Sequence, residues 1–275
     1  MNKLLFGPAG IPFSTANKNT VNGIKQVKEL GLDVMELEFV HSINVSEDKT
    51  DDIREEKKKS DIELTCHAPY AINLNAQEKA KLEASKHRII KTAKIANLCG
   101  VWSVVFHAGY YLKQDKEAVY QKIKVAIKDI LTKLNENNVS IWIRPEFTGK
   151  RTQFGDLGEL IKLSQDFEQV LPCIDFAHMH ARSNGKFNSA LEWTEVLEKI
   201  EKELGRFALE NMHIHMSGIN YSEKGEKNHL TLEESDLNFE QLLKIWKEFK
   251  IKGAIICESP NREQDALLLK KLYYA

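Results

Sequence analysis

Short apolar runs and longer stretches in which apolar residues return every three to four positions alternate along the chain from end to end. Leu4-Leu5-Phe6 is a run stopped by the turn residues Gly7-Pro8-Ala9-Gly10. An amphipathic segment over 21–30 follows, with Thr20 as its expected N-cap and Gly31 as its stop. Residues 34–40 alternate with the period of two that marks a strand. The highly charged stretch 49–60 reads as a solvated helix, 62–66 as a third strand, 77–98 as a long helix closed by Gly100, and 101–106 as a fourth strand. The unit then recurs. Helices over 118–134, 157–163, 191–204 and 239–249 alternate with strands over 139–143, 170–174, 212–216 and 254–257, and 264–272 closes the chain as a helix. Eight strand and helix units predict an α/β fold, a (β/α)₈ TIM barrel, with a doubly wound open sheet as the lesser alternative.

Composition narrows this picture without changing it. A length of 275 residues with no Pro/Gly/Ser-rich linker favours a single barrel domain over 1–275. Hydrophobic residues at 42% and charged residues at 29% are values of a soluble globular chain. No apolar run approaches the roughly 20 residues a membrane helix needs, and the start of the chain lacks a signal-peptide pattern, so no membrane partner and a cytoplasmic address are expected. Cys66, Cys99, Cys173 and Cys257 lie far apart and read as small apolar fillers near strand ends rather than a disulfide framework. A formal net charge of -1 leaves no electrostatic footprint for nucleic acid.

The chemistry lies where the strands end. In a barrel of this kind the active site is built at the C-terminal face of the strands and the loops that follow. His67, His107, Glu146, Asp175, His213 and Glu258 fall at or near the ends of six strands; His178 follows Asp175 by three residues, and His229 sits in the long loop after the seventh strand. The chain has 9 histidines, and seven of them, counting His180 and His215, are strand-end or loop residues of this set. A lone histidine is more often structural than a ligand, but the joint pattern reverses those odds. Carboxylates converging in one pocket repel one another unless protonated or neutralised by cations. Imidazole with carboxylate suits Zn²⁺ and is accepted by Mn²⁺ or Fe²⁺. The donors are too many for one tetrahedral ion, so two or three metals are expected, a number suited to phosphoryl chemistry.

In order along the chain, His67-Ala68-Pro69-Tyr70-Ala71-Ile72-Asn73-Leu74, Phe106-His107-Ala108-Gly109, Glu146-Phe147-Thr148-Gly149, Cys173-Ile174-Asp175 with His178, Met212-His213, His229 and Glu258-Ser259-Pro260 resemble the motifs of the endonuclease IV family, DNA-repair enzymes of the xylose isomerase-like barrel superfamily. The resemblance implies a trinuclear zinc site that hydrolyses the phosphodiester on the 5′ side of an abasic nucleotide in DNA, in a protein expected to be a monomer. By that analogy His67, His107 and Glu146 hold the first metal. Glu146 bridges to a second, held also by Asp175, His213 and Glu258, and His178 and His229 hold a third. Glu146 would organise the first pair and Glu258 orient the attacking water. Tyr70 would lie near the DNA, and Arg144, Arg151 and Arg182 are candidate phosphate contacts.

One position departs from the family pattern. Lys227 stands two residues before the last histidine, where the family usually has an aspartate, and a protonated ammonium cannot coordinate. The third ion is therefore expected to be weaker or differently held, with Glu226, His180 or His215 as substitutes. Two other readings compete: a sugar isomerase or epimerase on the same barrel, and a metal-containing DNA-binding protein that has lost activity.

Overall fold

The inward and outward faces of the strands differ sharply in chemistry in the computed structural model, which describes residues 1–275. Eight parallel strands close into a barrel: β1 (Leu4–Pro8), β2 (Val34–Glu38), β3 (Glu63–His67), β4 (Ser103–Phe106), β5 (Trp142–Pro145), β6 (Cys173–Asp175), β7 (Met212–Met216) and β10 (Gly253–Cys257). They form two half-sheets, β1-β10-β7-β6 and β2-β3-β4-β5. The halves meet through isolated parallel bridges, Ala9 with Glu36 on one side, Ile143 with Val170 and Glu146 with Cys173 on the other. This is the TIM barrel that the alternation predicts.

Helices α1 (Thr20–Glu29), α2 (Thr50–Ser60), α3 (Lys79–Leu98), α4 (Lys116–Glu136), α5 (Leu157–Asp166), α7 (Ala190–Leu204), α9 (Phe239–Glu248) and α10 (Glu263–Tyr274) surround the barrel. Between strands and helices lies a continuous cluster of 70 buried apolar residues, to which β2 contributes Met35 and Leu37 and β7 contributes Met212, Ile214 and Met216. The alternate residues of the same strands face inward. Apart from Val105 and a small cluster of Val34, Ala254 and Ile256, those inward positions carry Glu36, Thr65, Ser103, Arg144, Cys173, His213 and His215. A barrel interior is usually filled by layers of Val, Ile and Leu. Here the middle is polar, and the burial of one large outer core offsets the cost.

Several boundaries differ from the sequence reading. Asn19, not Thr20, caps α1, its Oδ1 accepting from the Asn22 amide at 2.9 Å. β5 and β6 begin three residues later than expected; the apolar residues 139, 141, 170 and 171 pack beneath the helices at the strand entrances, so apolarity there marks the approach to the strand. Four elements were not expected: the helices α6 (Phe176–Arg182) and α8 (Arg206–Leu209), and the strands β8 (Gly218–Ser222) and β9 (Gly225–Leu230) of an antiparallel hairpin, where the pattern suggests only a loop. No helix is long and apolar enough to cross a membrane.

Candidate metal centre

Glu146 follows β5 directly and is buried at the centre of the C-terminal mouth. Its Oε2 lies 3.3 Å from His67 Nε2 and 3.0 Å from His107 Nε2. Its Oε1 lies 3.2 Å from His178 Nδ1 and 3.3 Å from His215 Nδ1. Two donor sets therefore share this carboxylate: His67, His107 and Glu146, and Glu146, Asp175, His215 and Glu258. The cavity above them measures about 220 Å³; of the donors His67, His107, Glu146 and Glu258 line it, with Tyr70, Tyr110, Gln153, His178, Glu226 and His229, while Asp175 and His215 lie outside its lining.

Local structure aims these side chains. Asp175 ends β6 and serves as N-cap of α6, where its Oδ1 accepts from the His178 amide at 2.6 Å. One oxygen thus starts the helix that carries His178, while Oδ2 lies 3.3 Å from His178 Nδ1. Nδ1 of His67, His178 and His229 each faces a main-chain carbonyl, Ala68 O at 2.6 Å, Phe147 O at 3.0 Å and Glu258 O at 3.2 Å. A ring that donates its Nδ1 proton to a carbonyl turns the Nε2 lone pair the other way, which is how imidazole ligands are held in metal sites.

The electrostatics point to cations. Burial opposes charge on Glu146, but His107 and His215 beside it hold its carboxyl well below the usual carboxylate range. Burial pushes the Asp175 carboxyl up against the pull of His178. Burial also works against a charged His67, yet the adjoining Glu146 carboxylate raises it to about 9. Asp175 Oδ2, His215 Nδ1 and Glu226 Oε2 are buried without a hydrogen-bond partner. Buried carboxylate oxygens and a ring nitrogen left unpartnered at the barrel mouth are what a set of metal ligands requires, so the donors present fit divalent ions.

Not every expected residue takes its expected place. His213 does not face Glu146: its Nδ1 is 2.8 Å from Ser103 Oγ and its Nε2 3.1 Å from Glu36 Oε2, one layer deeper in the barrel. His215, two residues nearer the mouth on the same face of β7, stands where His213 was expected. His180 is turned away, its ring nitrogens on Phe187 O at 2.9 Å and Asp236 Oδ1 at 3.0 Å. Glu226 is the acidic side chain in the gap left by Lys227, its Oε2 3.4 Å from His178 Nε2. A bulge in the hairpin explains this: Asn220 pairs with Asn228 and Tyr221 with Glu226, leaving exposed Lys227 as the extra residue. Gly149 makes the approach possible, since a Cβ there would collide with the Glu226 carboxylate.

The arginines also differ from expectation. Arg144 is buried at the opposite end of the barrel, donating to Pro172 O at 3.0 Å and Asn211 O at 2.8 Å with its guanidinium over the Trp102 ring; burial pulls it down to about 9. Arg182 Nη1 donates to the carbonyls of Thr148, Lys150 and Gln153, and so fastens the loop after β5 to α6. Arg151 donates to the Arg182 carbonyl at 3.1 Å. Tyr70 stands at the cavity rim, 55% exposed, with its ring edge-on to His67. Cys173 groups with His213 and His215, but burial pushes its thiol up to about 12.

Fold and site define a class: a (β/α)₈ barrel whose mouth gathers histidines and carboxylates from six strands into donor sets of the kind that bind metal ions. Residues 24–272 match the xylose isomerase-like TIM barrel family, and the chain belongs to it. Among curated relatives, the "Uncharacterized protein MJ0133" of Methanocaldococcus jannaschii is 47% identical over 98% of this chain and 97% of that protein. The "Probable endonuclease 4" of Mycoplasma pneumoniae is 26% identical over 72% of this chain and 68% of that protein. Among solved structures, endonuclease IV from Thermus thermophilus superposes with a TM-score of 0.72 at 19% identity, covering 97% of both chains. A D-tagatose 3-epimerase-like protein superposes with a TM-score of 0.75 at 18% identity, covering 98% of this chain and 96% of that one. At these identities the structural likeness speaks to the fold alone.

Proposed function

We propose that the protein is a metal-dependent endonuclease that hydrolyses the phosphodiester 5′ to abasic sites in DNA. The reading rests on the number and placement of donors. Glu146, Asp175, His215 and Glu258 would by themselves serve one ion. Beyond them the cavity holds His67 and His107 on one side of Glu146, and His178, His229 and Glu226 on the other. His67, His107 and Glu146 would hold a first ion, the set of four a second, and His178, His229 and Glu226 a third. Two or three such ions, zinc by donor chemistry with manganese as the alternative, would neutralise a phosphodiester and acidify a water.

The chain's own residues have separable tasks. Glu146 gives one oxygen to each of the first two sets and so fixes their spacing. Glu258 reaches the cavity with Oε1 3.5 Å from His215 Nδ1 and Oε2 3.9 Å from His229 Nε2, a position from which it can orient a water. Tyr70 offers a ring at the rim on which a nucleotide can stack.

A sugar epimerase would need only the four-ligand set of Glu146, Asp175, His215 and Glu258, and the presence of that set makes it the second reading. The two separate in one assay: metal-loaded protein is incubated with duplex DNA carrying a single abasic site and with the same duplex lacking it. Site-dependent incision with zinc or manganese is expected. Binding of the abasic duplex without incision would instead support an inactive DNA-binding protein, and epimerisation of a ketose without incision would move the assignment to the sugar enzyme.

A further inference from the structure

We infer that Glu36 is the positioning residue of the metal centre, the buried carboxylate that holds the His215 ring with Nδ1 turned toward Glu146, Asp175 and Glu258. The inference rests on the metal-centre reading above, but not on whether the substrate is DNA or a sugar.

His215 is turned the opposite way from His67 and His229. His67 and His229 present Nε2 to the cavity, each with a main-chain carbonyl behind Nδ1, whereas His178 sets Nε2 3.4 Å from Glu226 Oε2 and keeps Nδ1 between the Phe147 carbonyl and Glu146 Oε1. His215 presents Nδ1, 3.3 Å from Glu146 Oε1 and 3.5 Å from Glu258 Oε1. It sits in the middle of a strand paired on both sides, with β10 and with β6, so the neighbouring main-chain groups are engaged in the sheet. A side chain must take the part that a carbonyl plays elsewhere. Glu36 Oε1 lies 3.0 Å from His215 Nε2.

Glu36 is well suited to that part. It is fully buried on β2, across the barrel from β7, and Lys and Arg are absent from its ion-pair partners. Those partners are two imidazoles: His215, and His213 at 3.1 Å from Oε2. His213 is itself braced, its Nδ1 2.8 Å from Ser103 Oγ. With the His213 proton on Nε2, Nδ1 accepts the Ser103 hydroxyl hydrogen, and the row Ser103, His213, Glu36, His215 runs from the barrel floor to the mouth. The four contact atoms lie at hydrogen-bonding distance, yet the ring N–H groups are not lined up with the oxygens. Binding of an ion at Nδ1 would require the His215 proton on Nε2, and alignment of that proton with Glu36 Oε1 is the movement the ring has left to make.

The test compares full-length wild type, Glu36→Gln and Glu36→Leu. Each is stripped of metal, checked by thermal melting, and titrated with Co²⁺ while the visible ligand-field absorption is followed; retained metal after dialysis is counted by elemental analysis. Carboxylates behind imidazole ligands are worth about 10–100-fold in metal affinity. One class of Co²⁺ site is expected to weaken by about tenfold in Glu36→Gln and more in Glu36→Leu, with an altered band, while the site of His67 and His107 fills as in wild type. Should Glu36→Leu not fold, the isosteric Glu36→Gln carries the test. Variants that melt earlier but keep the wild-type affinity and spectrum would overturn the inference and leave a structural carboxylate. A wild type that takes up no Co²⁺ would remove the metal-centre reading and this inference with it.

Discussion

Glu146 divides its two oxygens between the two donor sets, with His67 and His107 on Oε2 and His215 on Oε1, which also lies 3.2 Å from His178 Nδ1. Replacing it by Gln keeps the shape and removes the charge. Glu146→Gln is expected to abolish incision and to lower retained metal, with far-UV circular dichroism unchanged; near wild-type activity would show that the carboxylate is dispensable. Glu226 and Lys227 make a paired test. Glu226→Ala is expected to lose one metal equivalent on dialysis, whereas Lys227→Ala, exposed and outside the cavity lining, should retain as much as wild type. Most of the residues that meet in the cavity were legible because each stands just past an apolar run, where a carboxylate or imidazole is out of place. Glu36 was not, and His215 was legible only as a substitute ligand for the third ion. Glu36 alternates with Met35 and Leu37, which reads as a half-exposed strand with its polar face in water. Both faces of a barrel strand are covered, and that consequence of the fold turns Glu36 inward. His213 and His215 share one face of β7, and only the depth of the barrel separates them.

At the scale of elements, the mouth depends on two pieces that hydrophobic periodicity did not reveal. α6 has seven residues, too few for a period to show, and its start is set by the Asp175 side chain rather than by a run of apolar positions. The hairpin β8–β9 is polar along much of its length, and its register is fixed by the bulge at Lys227. Gly225 ties this hairpin to the loop after β5. Its φ of 98° is left-handed, and a Cβ there would collide with the Gly149 carbonyl oxygen. Gly225→Ala is therefore expected to lift the hairpin, costing one metal equivalent and exposing residues 217–230 to limited proteolysis while thermal melting of the barrel changes little. Arg182 acts on the same loop from below. Arg182→Met leaves the carbonyls of Thr148, Lys150 and Gln153 without their charged donor, and is expected to lower stability by about 2 kcal/mol in urea denaturation.

For the whole molecule, the order of elements was readable because eight repeats of one pattern admit few architectures. The division into half-sheets was not, since it depends on where neighbouring strands fail to pair. The half-sheet β2-β3-β4-β5 supplies His67, His107 and Glu146, and β1-β10-β7-β6 supplies Asp175, His215 and Glu258. The junction between β5 and β6 is thin, held by contacts such as Phe147 N to Cys173 O at 2.9 Å and Ile143 N to Gln169 O at 3.1 Å. Removing metal is expected to lower the melting temperature and to speed hydrogen exchange first at the Ile143 and Phe147 amides, both effects reversing on addition of zinc. Uniform acceleration across the barrel would argue against this junction as the weak line. The same division bears on how the chain is made. β1 is paired along its length with β10, is joined on the β2 side by the Ala9 bridge to Glu36 and the Asp33 amide on the Phe6 carbonyl, and receives the Tyr274 hydroxyl at the Leu4 carbonyl at 3.0 Å, so its full pairing is complete only once β10 is present. The trio of His67, His107 and Glu146 is complete once β5 and the residue after it have left the ribosome, and the set that includes Glu258 only once β10 has followed. An ion captured early by the growing chain would hold one half-sheet in shape while the other is still being synthesised.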